Sequence, residues 1–204
     1  MDKIIVRVDD VMCESSAWDR PRSIRRITAF QRWMSDIPAI EYVPTVLVTE
    51  IQDYSEVIEL LRAGAQSKIA SPQIHGLEHI DYGALDEATV RSHLKKCIEW
   101  FERELDFTPT VWATPWGGTN DIMQRVSAEL GLRLETTHPT IDVKKAMGYL
   151  KSGQMEVKDF FGKTILEHWW NRGSTLLRFV DCVRYGSYTE AVKQDRLTRK
   201  DTIF

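Results

Sequence analysis

Short β-branched runs alternate with helix-length stretches of amphipathic period along this chain, and that alternation restricts the possible folds more than any other property of the sequence. Ile4-Ile5-Val6-Arg7-Val8 opens it, a nearly continuous apolar run of the kind found in strands covered on both faces. Ile24, Ile27, Phe30, Met34 and Ile37 follow at helical spacing, with Asp19 and Pro21 as start signals. Residues 43–48 read as a second strand, and Asp53-Tyr54-Ser55-Glu56 as a capping box opening a helix that stops at Gly64. A third strand ends near Ile74, after which Asp86 caps a long helix carrying Val90, Leu94, Cys97, Phe101 and Leu105 on one face. Residues 110–113, 132–136 and 163–169 read as further strands, and 175–183 as another; a helix begins after the turn-rich stretch 115–121 and stops at Gly131. The order is that of an α/β fold, a parallel sheet or barrel with covering helices, whose functional groups collect at the C-terminal ends of strands.

A length of 204 residues with 43% hydrophobic content suits one domain over residues 1–204. The net charge of -3 lacks the basic excess that nucleic-acid binding leaves behind, so no nucleic-acid partner is expected. Cys13, Cys97 and Cys182 are widely separated and indicate neither a disulfide framework nor a cysteine zinc site. The apolar run in MDKIIVRVDD is too short for a signal peptide, and no segment reaches the roughly 18 apolar residues of a membrane span. A cytoplasmic location is the expectation.

Polar groups gather where the strands are expected to end. Asp9-Asp10 closes the first, His75 and His79 follow the third, Pro115-Trp116 the fourth, His138 the fifth, and His168 closes the late one. Adjacent strand residues point to opposite faces, so Asp9 and Asp10 can serve one site only where the strand ends or bends. They read either as a cap or solvated turn, or as a pair whose mutual repulsion a cation relieves. His75 and His79 have the i, i+4 spacing that brings two imidazoles to one side of a turn, within reach of a shared zinc ion. With five histidines in the chain, such a spacing also arises by coincidence. Glu78 does not make this an HExxH motif, because the acid sits immediately before the second histidine. Trp112, Trp116, Trp169 and Trp170 read as core residues or, on the site loops, as flat platforms for sugar rings.

In their order, Arg7-Val8-Asp9-Asp10, His75-Gly76-Leu77-Glu78-His79, Ala113-Thr114-Pro115-Trp116-Gly117 and Leu166-Glu167-His168 resemble the motifs of the polysaccharide deacetylases, the NodB-like carbohydrate esterases, from residue 4 to about 170. The resemblance implies a distorted (β/α) barrel of about seven parallel strands. It also implies one divalent metal ion, with zinc expected, held by Asp10, His75 and His79. By position Asp9 matches the family's general base and His168 its general acid, while Pro115, Trp116, Gly117, Trp169 and Trp170 fall where substrate would bind. This chain departs from the family at Gly76, where Ser or Thr is usual, and at Ala113, where an arginine usually orients the catalytic Asp. It has no counterpart of the fourth motif. Arg133, Arg172 and Arg178 are the candidates to replace that arginine.

The resemblance implies hydrolysis of an N-acetyl group on an amino sugar of a polysaccharide or its precursor: metal-activated water attacks, Asp9 takes a proton, and His168 protonates the leaving amine. The partner expected is an N-acylated amino sugar or oligosaccharide. Arg20, Arg22, Arg25 and Arg26 could meet a phosphate-bearing substrate or form a solvated face. The alternatives are a metal-binding pseudoenzyme or carbohydrate-binding module, and a deformylase or non-sugar amidase on the same scaffold.

Overall fold

In the computed structural model, residues 2–11, 20–136, 140–168 and 174–198 are described, with backbone alone for 20–23 and 195–198. His138, Trp169 and Trp170 lie outside the described residues. The strands are β1 (Ile4–Val11), β2 (Ile40–Leu47), β3 (Gln73–Gly76), β4 (Val111–Ala113), β5 (Arg133–Glu135), β6 (Ile141–Asp142) and β7 (Thr164–His168). All pair in parallel, in the order β5-β4-β3-β2-β1-β7-β6. This is the cyclic order of a barrel opened between β5 and β6, so the sheet forms a curled half-barrel. The helices are α1 (Arg20–Met34), α2 (Val48–Ile51), α3 (Ser55–Gln66), α4 (Glu87–Leu105), α5 (Asp121–Glu129), α6 (Val143–Ser152), α7 (Ser174–Tyr185) and α8 (Tyr188–Thr198).

Strand alternation divides the sheet into an apolar and a polar face. In register, Val6 aligns with Tyr42 and Ile165, and Ile74 with Val46 and Trp112. These residues are buried in one cluster with Ile27 and Phe30 of α1, Leu61 of α3, and Leu94, Cys97 and Phe101 of α4. Each large aliphatic or aromatic side chain buried there contributes about 1.5–3 kcal/mol. The opposite face carries Arg7, Asp9, Thr45, Gln73 and His75, all buried. A polar barrel interior is costly unless its groups find partners, and here they do.

Several elements differ from the sequence expectation. The capping box does not form: Tyr54 is the N-cap of α3 and makes no side-chain cap bond. Nor does α3 stop at Gly64. The glycine lies inside the helix because Gln31 of α1 packs against it, where a Cβ would collide with the Gln31 amide. Residues 175–183 form most of α7 instead of a strand, since Leu176, Leu177, Phe179, Val180 and Val183 are buried at helical spacing. The elements α2, β6, α6 and α8 were not legible as separate units. Asp86 does cap α4, accepting from the Thr89 N–H at 2.8 Å.

β3 and β4 share a single ladder pair, Ile74 with Trp112, and side chains supply much of the remaining connection. The Gln73 Oε1 accepts from the backbone N–H of Thr110 at 2.9 Å and of Val111 at 2.8 Å. Trp112 Nε1 donates to the His75 carbonyl at 3.2 Å. Gln73→Leu would leave two backbone donors without their acceptor, and a loss of about 2–3 kcal/mol in urea unfolding is expected. A loss below about 0.5 kcal/mol, within the range of an ordinary surface substitution, would contradict this account of how β4 is held.

Candidate functional site

Asp9 and Asp10 lie within β1, not after it, and the backbone there resolves the conflict of direction. The β1–β2 register shifts between Val8 and Val11, and Asp10 has a positive φ of 60°. A non-glycine residue in this left-handed region is strained by roughly 1–3 kcal/mol, a conformation that persists where the surroundings fix it. The irregularity turns Asp10 so that its carboxylate shares a site with that of Asp9. A second shift falls between β2 and β3, where Leu47 aligns with Gly76, so that His75 is the extra residue.

The Asp10 Oδ1 lies 2.9 Å from Nε2 of His75 and 2.9 Å from Nε2 of His79. The ligand-capable atoms of Asp10, His75 and His79 all lie within 4.8 Å of one another. The His75 Nδ1 donates to the Ala113 carbonyl at 2.7 Å, which orients the ring and assigns its other nitrogen, Nε2, to the cluster. Two imidazole nitrogens and a carboxylate oxygen, converging with Asp10 and His75 buried and His79 half-buried, are the donor set that zinc takes, and the fit is good. The i, i+4 spacing is not helical here: His75 belongs to β3 and His79 to the bend after it. Glu78 is exposed and outside the set.

The electrostatics agree with a centre that favours positive charge. Burial pushes the Asp10 carboxyl up, but the hydrogen bond to His75 and the fields of His75, His79 and His168 outweigh it and hold its pKa below the usual value. Burial pushes His75 down, yet its hydrogen bond to Asp10, the charges of Asp9 and Asp10 and its bond to Ala113 leave it raised. His79 is lowered, mainly by burial, with the Asp10 charge opposing and the neighbouring His75 adding to the effect.

Around this cluster stand the other expected residues. Asp9 accepts from the Thr45 hydroxyl at 2.8 Å and from Arg7 Nη2 at 3.0 Å. His168 is the β7 partner of Asp9 in register, so the two side chains leave the same face of the sheet. Pro115, Trp116 and Gly117 form a 3-10 turn at the rim, with positive φ at Trp116 (61°) and Gly117 (65°). Trp116 is 72% exposed, and its ring centroid lies 5.0 Å from that of His79. The Gly117 N–H is already committed to the Thr114 carbonyl at 3.2 Å.

Arg7 and Thr45 are the residues the sequence reading missed. The signal for Arg7 was present, since a cation inside a buried β-branched run, two residues before Asp9, shares that residue's face. Of the three arginines considered instead, the two described ones do not meet Asp9. Arg133 pairs with Glu135 at 2.7 Å, Arg178 lines a groove between α6, α7 and α8, and Arg172 lies outside the described residues. Arg26 is not a surface group for phosphate; it is 2% exposed, stacked 5.0 Å from the Phe30 ring centroid, and burial lowers its pKa to about 10. Arg25 is exposed, and the side chains of Arg20 and Arg22 are outside the described ones.

Residues 36–134 match the polysaccharide deacetylase family model. Solved structures share the fold at low identity. A family 4 carbohydrate esterase from Streptomyces lividans, in complex with acetate, is 14% identical, with a TM-score of 0.60 over 95% of this chain and 89% of its own. The peptidoglycan deacetylase PdaC from Bacillus subtilis is 17% identical, with a TM-score of 0.62 over 98% of each chain. A carbohydrate esterase family 4 pseudoenzyme from Bacillus anthracis is 13% identical, with a TM-score of 0.61 over 95% of this chain and 62% of its own. No curated protein matches the sequence. The match to the family model and the shared fold agree with the resemblance read from the motifs. No described helix is long and apolar enough to cross a membrane.

Gly76, the departure inside the histidine motif, has a physical cause. A Cβ there would lie 2.9 Å from the Glu78 carbonyl oxygen and 2.9 Å from the Tyr82 hydroxyl. That hydroxyl accepts from the Leu77 N–H at 2.8 Å and so holds the loop between the two histidines. Gly76→Ala would displace Tyr82 or the loop. A destabilisation of about 1–3 kcal/mol is expected, together with weakened zinc binding by isothermal titration. Wild-type stability and affinity in this variant would contradict the assignment of Tyr82 as the loop's support.

Proposed function

We propose that this protein hydrolyses the N-acetyl amide of an amino sugar, in a polysaccharide or one of its precursors. The observation that carries the reading is the convergence of Asp10, His75 and His79 beside the partnered carboxylate of Asp9. These three residues would hold one divalent ion, with zinc expected, which supplies Lewis acidity at the carbonyl and lowers the pKa of water.

The remaining work falls to the chain's own groups. Asp9, its oxygens fixed by Thr45 and Arg7, accepts a proton from the attacking water. His168, its neighbour across the β1–β7 register, donates a proton to the departing amine, the step an amide most needs. With the Gly117 N–H closing its turn, the Trp116 N–H is the donor assigned to the developing oxyanion. The exposed Trp116 ring supplies an apolar face for a sugar. Trp169 and Trp170 are proposed for the same surface. Cys97 and Cys182 are free, buried thiols, in keeping with the cytoplasmic setting we also propose.

Acetate and formate release from a panel of N-acylated amino sugars and chito-oligosaccharides tests the reading. Acetate from the wild-type protein is expected, with a loss of about 10²–10⁴ in Asp9→Asn. Formate in place of acetate would point to a deformylase. A protein that binds zinc yet releases neither acid from any substrate would be a pseudoenzyme, and the proposal would fall.

A further inference from the structure

We infer that Arg7 is the positioning residue for the base of this site, doing from β1 what the chain cannot do from Ala113. The inference rests on the proposed hydrolytic reading. Arg7 is 1% exposed and lies on the polar face of the sheet, two residues before Asp9. Its Nη2 donates to Asp9 Oδ2 at 3.0 Å, and its Nε lies 2.9 Å from Oδ1. The Nε contact is off the hydrogen-bonding line, so on that side the attraction is ionic. Thr45 donates to the same Oδ1 at 2.8 Å, so that both carboxylate oxygens are held.

The guanidinium is itself anchored from the far side of the half-barrel. Arg7 Nη1 donates to Glu135 Oε2 at 3.1 Å and to the Thr136 carbonyl at 3.5 Å. The other oxygen of Glu135 pairs with Arg133 at 2.7 Å. The planar fork therefore spans from β1 to the edge strand β5 and has no freedom to swing away from Asp9. A guanidinium needed only to brace two strands has a cheaper substitute, since well-packed apolar residues usually do as well as or better than a buried ion pair. Keeping the fork serves a carboxylate that must stay oriented beside the ligands. Lysine would keep the charge and lose the two-sided grip.

The test compares wild type, Arg7→Lys, Arg7→Met and Glu135→Gln for kcat, KM and bound zinc on one N-acetylated oligosaccharide substrate. If Arg7 orients the base, kcat falls in a graded series. About 10-fold or more is expected in Arg7→Lys and about 10²-fold or more in Arg7→Met, with KM within about 3-fold and zinc content at the wild-type level. Glu135→Gln, which leaves Arg7 in place but loosens its anchor, loses a smaller factor in kcat alone. Wild-type kcat in Arg7→Lys and Glu135→Gln would overturn the assignment, even if Arg7→Met does not fold. A parallel loss of zinc and kcat in the folded variants would overturn it too, because Arg7 would then be supporting the ligands. A wild-type protein inactive on every substrate would instead overturn the hydrolytic reading, and this inference with it.

Discussion

Two neighbouring acids on one strand can reach a common site only if the backbone between them breaks the two-residue alternation. The left-handed conformation at Asp10 is that break. It leaves Asp9 on the polar face with Arg7 and Thr45 and turns Asp10 toward the two histidines. The matching irregularity at His75 brings the other side of the cluster into register. Backbone strain at Asp10, together with a register irregularity at His75, is what a folding optimum would avoid, and both coincide with the polar cluster.

The rest of the fold bears the consequence of a polar interior. The helices bury the apolar face of the sheet against α1, α3 and α4, and the opposite face carries charges that must be partnered one by one. Asp9 meets Thr45 and Arg7, Arg7 meets Glu135, His75 meets Ala113, and Gln73 satisfies two backbone donors of β4. Because the polar side chains also join strands, site geometry and sheet geometry are not separable. This explains why the third motif can lose its arginine side chain while Ala113 still acts through its carbonyl.

Much of this was legible in the sequence. The β-branched runs and the 3.6-residue periodicities gave the parallel αβ order, and the polar motifs pointed to Asp10, His75 and His79, which the structure brings together. Residues 175–183 misled because apolar density was read without its period, and β6 is two residues long, too short to leave a pattern. The histidine spacing pointed to two rings that the structure does bring together, but by a strand end and a bend, not a helical turn. Arg7 was passed over because it sits in a run that reads as core. Its partners, Asp9 at i+2 and Glu135 across the half-barrel, follow from strand facing and sheet curl, and only the first of these is written in local sequence.

The central claim is that Asp10, His75 and His79 hold a divalent ion. Metal analysis of untagged protein, wild type beside folded His75→Ala, tests it most directly. Close to one zinc or other divalent ion per chain in the wild type, and a marked loss in His75→Ala, is the predicted result. Equal metal content in the two proteins would contradict the account.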